Sequence, residues 1–205
     1  MNDEKIKFRK AILTSSIILL IIWIVKIIEI SFGLSFVQYG LLPKSFAFPP
    51  GVFLFHFIHS GFEHLISNSF PILFLVTAIV YFYPNSAFRV MALIFLFSGI
   101  MVWFIGRPSY HIGASAFVYG LITFTFFSGI IKWDRRSIVL SLIVTFLYGG
   151  FTWGVLPLDD KVSWEGHLSG AVLGFICAVA FRKLDPYNKF ERLEDEEDEI
   201  DELEN

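Results

Sequence analysis

Six stretches of this chain are apolar over lengths that cross, or nearly cross, about 30 Å of hydrocarbon at about 1.5 Å per residue, and nothing else constrains the fold as strongly. They are Ala11–Ile30, His64–Phe82, Ala87–Ile105, Gly113–Ile131, Ser137–Phe151 and Gly166–Phe181. With 55% apolar residues, 25 phenylalanines and a mean hydropathy of +0.66, the chain has too little polar material to cover a water-exposed surface. The expected class is an all-α polytopic membrane protein with six transmembrane helices. The first stretch follows "KIKFRK" and resembles a secretion signal, but no small-x-small cleavage site comes after it, so it reads as a retained helix. The single cysteine, Cys177, lies inside an apolar run, which rules out a disulfide framework and suits a small buried side chain.

The net charge of −3 conceals two unlike parts. Residues 191–205 carry ten acidic groups against Arg192, so the rest of the chain is net positive. Such a tail has little to bury and repels itself, and is expected to be solvated and disordered. Three regions follow: a cytoplasmic segment over residues 1–10, a membrane domain over 11–183 and an acidic cytoplasmic tail over 184–205. Lysine and arginine mark the orientation. Twelve fall on the side of the termini and the second and fourth loops, against three (Lys44, Arg107 and Lys161) on the other. Both termini are therefore expected in the cytoplasm, and helices two, four and six start at the outer face. Lys26 lies within the first span, three residues before Glu29, where it can pair locally or snorkel.

The segment between spans one and two is too long for a turn and too apolar for a solvated loop, ending in "FAFPPGVFLFHF". It is expected to lie partly in the membrane interface, its backbone satisfied by local turns and protein contacts.

Strongly polar side chains at membrane depth are costly, so each one without a structural reason is a candidate site. His64 and Asn68 open span two, Ser115 opens span four and His167 opens span six. All four lie in the first turns of helices that run inward, hence at one shallow depth. In span six, "GHLSGAVLG" sets Gly166, Gly170 and Gly174 four residues apart on one helix face, where small residues admit a close neighbour. Gly113, Ala114, Ala116 and Gly120 make a matching surface around Ser115. Packing these faces brings Ser115 toward His167; Ser115 also has a plain reading as a small packing residue.

A serine beside a histidine is a minimal activated nucleophile, because imidazole takes the hydroxyl proton during attack and returns it to the leaving group. Glu165 falls on roughly the opposite helix face from His167, Asp159 and Asp160 belong to a loop, and no span contains an aspartate, so a dyad fits better than a triad. Acyl transfer also needs donors for the oxyanion. His64 and Asn68 share a helix face and both donate, and the Ser115 amide in a first helical turn is free of the helix ladder. Tyr119 lies one turn beyond Ser115 on the same face, placed to support an imidazole.

The strings "HFIHSGFEHLISN", "GASAFVYG" and "GHLSGAVLG", in this order on helices two, four and six, resemble the rhomboid intramembrane serine proteases over roughly Phe53 to Phe181. The resemblance implies a six-helix rhomboid-like bundle and a Ser115–His167 dyad. It further implies an oxyanion hole from His64, Asn68 and the Ser115 amide, with Tyr119 packed on His167. It implies cleavage of transmembrane substrates near their outer end, without cofactor; single-pass substrates, no metal and a location in the bacterial inner membrane are expected. His59 matches a frequent family histidine and reads as structural or supporting. Two departures stand out. Ala116 replaces the glycine that usually follows the serine, and the first-loop Trp-Arg pair is missing near Pro50 and Gly51.

His56 and His111 read as interfacial residues without a special role, and Trp103, Trp153 and Trp164 as an aromatic belt. A metal site built on the histidines lacks an HExxH pattern and a carboxylate within a span. Aspartyl chemistry lacks its two embedded aspartates. A proteolytically inactive relative that binds or escorts membrane proteins remains the alternative function. The lipid bilayer and membrane-protein substrates are the expected partners, and nucleic acid is not.

Overall fold

The structure, a computed structural model, describes residues 3–159 and 162–186. Residues 187–205, with most of the acidic tail, lie outside the described residues, as do Met1, Asn2, Asp160 and Lys161. Among the described residues the architecture is all-helical: α1 (Asp3–Ser31), α2 (Gly51–Leu54), α3 (Phe62–Phe82), α4 (Ala87–Ile105), α5 (Ser115–Lys132), α6 (Arg135–Tyr148) and α7 (Trp164–Ala180). Five helical segments are long and apolar enough to span a membrane, the last being α6 with the 3-10 turns that continue it; α7 is a shorter apolar helix of 17 residues. Apolar side chains stand exposed along them, Phe146 at 88% and Leu20 at 59%. In water such a surface is an aggregation liability, whereas in lipid it is the required coat. The chain is an integral membrane protein.

The helices follow the apolar stretches, and their ends differ for identifiable reasons. Polar residues can be helical outside hydrocarbon, so α1 starts at Asp3 rather than Ala11; Lys7 reaches back to Glu4 at 3.1 Å, and the Tyr81 hydroxyl donates to Glu4. Helix α5 starts at Ser115 because Gly113 has φ +111°, a conformation that a helix cannot contain. Helix α6 yields to 3-10 turns over Gly149–Val155 at a Gly-Gly pair.

Helix α5 is central, packed against α7, α6, α3 and α4, while α1 lies on α3. The α5–α7 contact is the tightest. A Cβ at Gly170 would sit 1.8 Å from the Ala116 carbonyl oxygen, and one at Gly174 would sit 2.1 Å from that of Gly120. Only hydrogen fits there, so the glycine face of α7 sets both the distance and the register of the two helices. The methyl of Ala116 is accommodated in a small cluster with Leu41, Phe55 and Val102.

The long first connection is held from several sides without a Trp-Arg pair. Leu41 and His111 exchange backbone hydrogen bonds of 3.0 and 2.8 Å, and the Gly113 amide donates to the Phe55 carbonyl at 2.8 Å. Gly99 of α4 lets the backbone at Val52 approach, and Trp103 donates to the Ser45 carbonyl at 3.2 Å. The buried Lys26 pairs with Glu29 at 2.6 Å and also donates to the His59 carbonyl at 2.9 Å, tying the end of this connection to α1. At the opposite end of the bundle, the buried Asp185 carboxylate accepts from the amides of Asn85 and Ser86 and from the Ser86 hydroxyl, fastening the end of α7 to the α3–α4 turn.

Candidate active site

Ser115 is the first residue of α5, and the chain reaches it through a bend that only glycine accommodates well. Gly113 combines its positive φ with a close approach to His64; a Cβ there would stand 2.6 Å from the imidazole Cε1 and Nε2. The Ala114 amide donates to His59 Nε2 at 3.4 Å, so the residue before the serine is tethered to the loop that leads into α3. Ser115 itself is half-buried.

His167 sits in the first turn of α7 and is 8% exposed. Its ring lies flat on Tyr119, with centroids 4.0 Å apart and planes 7° from parallel. Its Nδ1 is 2.8 Å from the Gly154 carbonyl oxygen. A carbonyl only accepts, so Nδ1 carries the proton and Nε2 is left as the basic nitrogen. The α5–α7 register then relates the two side chains. Gly170 meets Ala116, so His167, three residues before Gly170, and Ser115, one before Ala116, belong to the same end of the closest helix contact.

His64 and Asn68 occupy the first two turns of α3. His64 Nδ1 is 3.2 Å from the Ser60 hydroxyl, and its ring lies 5.1 Å from that of His59. A polar cleft of about 400 Å³ lined by Ser60, Gly61, Glu63, His64 and Ser67 opens beside it. Asn68 is buried and spends one amide hydrogen on the His64 carbonyl at 2.8 Å, leaving its second for another acceptor. The structure thus gathers His59, His64 and Gly113 around the approach to Ser115, and Tyr119 and Gly154 around His167. Gly166 packs beside Ser163 and Ala116.

The buried carboxylate of Glu165 accepts from the Arg107 backbone amide at 3.2 Å and pairs with its Nε at 3.5 Å, so its interactions lie with the α4–α5 connection. Three contributors carry no signature in a sequence. The Gly154 carbonyl is a backbone group. Ser60 is an ordinary loop serine. His111, given no special role above, is buried and takes a hydrogen bond at 2.6 Å from Ser163 on Nδ1, while Nε2 donates to the Arg107 carbonyl at 3.2 Å. It ties the segment before α7 to the segment before α5, and burial holds its imidazole below the ordinary 6.5.

Comparison with known proteins matches the chain to a family. A family model described as "Rhomboid domain" covers residues 51–184. The chain is 34% identical over 137 residues to an uncharacterized protein of Mycobacterium tuberculosis, an alignment covering 62% of this chain and 57% of that one. It is 32% identical over 133 residues to one of Mycobacterium leprae, covering 59% and 51%. It is 29% identical over 133 residues to a protein of Acanthamoeba polyphaga mimivirus named "Putative rhomboid protein", covering 61% and 71%. The match spans little more than half the length of the mycobacterial relatives. With the family model matching more than half of the chain on an all-helical membrane bundle, this protein belongs to the rhomboid family.

Proposed function

We propose that the protein is an intramembrane serine endopeptidase that cleaves single-pass transmembrane proteins near the outer membrane face. The observation that carries this reading is the setting of His167, fixed by Gly154 and Tyr119 with Nε2 unprotonated, at the same end of the α5–α7 contact as Ser115. In the reaction, the Ser115 hydroxyl gives its proton to His167 Nε2 as its oxygen attacks the scissile carbonyl. The Gly154 carbonyl holds the resulting imidazolium through Nδ1–H, a part taken elsewhere by an aspartate. The free amide hydrogen of Asn68, the His64 ring and the Ser115 amide stabilise the oxyanion. His167 then protonates the departing amine, and water, entering by the polar cleft beside His64, reverses the sequence to free the serine. No cofactor takes part.

The charge asymmetry of the sequence supports an orientation with both termini in the cytoplasm, here of a bacterial inner membrane. Substrates should carry small or helix-weakening residues at their outer end, because attack needs an extended peptide bond that helix hydrogen bonds conceal. The test is co-reconstitution in liposomes with single-pass substrates differing only in such residues, with product masses mapping the cut. Cleavage near the outer end, absent in Ser115→Ala, is expected; stable binding with no cleavage identifies the escort function instead.

Two substitutions test individual parts. Asn68→Ala is expected to lower kcat on the order of 10²–10³-fold, the cost of one oxyanion donor, and an unchanged rate removes Asn68 from the site. Gly154→Ala would place a methyl 1.8 Å from the Tyr119 hydroxyl oxygen and 3.1 Å from His167 Nδ1. Displacing the imidazole from its place on Tyr119 is expected to cost on the order of 10²-fold in kcat with KM little changed. Full activity would show that the Gly154 contact does not position His167.

A further inference from the structure

We infer that Lys26 is a positioning residue of the candidate active site, holding the His59–Ser60 backbone on which the setting of Ser115 and His64 depends. For its catalytic part the inference rests on the serine-protease reading above. Lys26 and Glu29 belong to α1, outside residues 51–184 by which the family is matched. Both are buried, at 6% and 5% exposure. An ammonium group has three N–H donors, and each finds an acceptor here: Glu29 Oε2 at 2.6 Å, the His59 carbonyl at 2.9 Å and the Ser60 carbonyl at 3.4 Å. Glu29 Oε1 in turn accepts from the Phe36 amide at 2.7 Å, so one ion pair grips the long first connection near both of its ends.

His59 and Ser60 lie between the 3-10 turn Phe55–Phe57 and the start of α3 at Phe62, where no helix ladder fixes the backbone. Each of them touches one half of the site. The His59 ring accepts at Nε2 from the Ala114 amide, immediately before Ser115, at 3.4 Å. The Ser60 hydroxyl lies 3.2 Å from His64 Nδ1. With that hydroxyl donating, His64 Nε2 keeps the hydrogen that an oxyanion requires. A turn of the His59–Ser60 backbone therefore shifts the approach to the nucleophile and the oxyanion donor together. Anchoring α1 does not by itself call for a buried ion pair, because apolar side chains of similar volume are often as stabilising or more so. Such side chains cannot donate to two backbone carbonyls, and Lys26 does.

The test compares the double variant Lys26→Met/Glu29→Gln with the unmodified full chain. Removing both charges together leaves no uncompensated ion buried, and the glutamine oxygen still accepts from Phe36, so thermal unfolding should stay close to that of the unmodified protein. In proteoliposomes kcat is expected to fall on the order of 10²-fold with KM little changed, the cost of misplaced catalytic groups. Exchange of the Ala114 amide hydrogen, followed by NMR in detergent, should quicken about tenfold as its acceptor ring loses its anchor. Ser15→Ala, which removes the 2.9 Å contact of α1 with Thr77 nearer the start of the same helix, should change neither readout. Unchanged kcat in the double variant, or an equal loss in Ser15→Ala, would overturn the positioning role while leaving the protease reading intact. An unmodified protein that cleaves nothing would instead be a failure of the protease reading. Unchanged exchange at Ala114 would overturn the tether whether or not the protein cleaves.

Discussion

Ser115→Ala is expected to bring substrate cleavage down to background, a loss on the order of 10⁶-fold in kcat, while leaving thermal unfolding nearly unchanged. The substitution removes one oxygen from a half-buried position at the start of α5 and disturbs neither the Gly113 bend before it nor the Ala116–Gly170 contact after it. His167→Ala is expected to lose as much. Because proton and nucleophile act as a unit, the double variant should be no worse than either single one. Losses that instead multiply would mean that the two residues act separately, for example through packing alone. Quantitative cleavage of a purified substrate in proteoliposomes reads all three variants.

Gly170→Leu carries the second large effect, and it acts through the fold. The obstacle to a side chain at Gly170 is the Ala116 backbone carbonyl 1.8 Å from the would-be Cβ, and backbone cannot rotate aside as a side chain would. The helices must separate, at about 1–3 kcal/mol and sometimes more for overpacking of this kind. Thermal unfolding of the detergent-solubilised protein should fall by several degrees, since about 1 kcal/mol corresponds to roughly 2–4 °C at this size. Cleavage should fall with it, because the same contact sets the spacing of Ser115 and His167. Gly149→Ala is the control: that residue has helical φ and ψ and no atom within 4 Å of its would-be Cβ, so stability should hold. Equal melting of the two variants would contradict the account of α5–α7 packing.

These expectations draw unequally on sequence and structure. Span positions are readable because apolar length is a direct consequence of bilayer thickness. Ala87–Ile105 agrees at both ends, where Pro84-Asn85 and Gly106-Arg107-Pro108 interrupt the apolar run. The start of α1 is less readable, since charge excludes Asp3–Lys10 from hydrocarbon but not from a helix. For the candidate site, side-chain type, spacing and depth are visible in Ser115, His167, His64 and Asn68. What surrounds them depends on where backbone passes. The carbonyl facing His167 comes from Gly154, in 3-10 turns that no periodicity announces. The Ser163–His111 link joins residues that look like ordinary loop positions until the chain is folded. Lys26 is an intermediate case, because its i,i+3 pairing with Glu29 is local while its bond to the His59 carbonyl is not.

The central claim is that the hydroxyl of Ser115 is a nucleophile made so by His167. Reaction with a fluorophosphonate, followed by peptide mass spectrometry, addresses it without any knowledge of the natural substrate. The account predicts a single covalent adduct on Ser115, lost in Ser115→Ala and almost lost in His167→Ala. An intact protein that takes up no label, or one labelled equally well without His167, would contradict it.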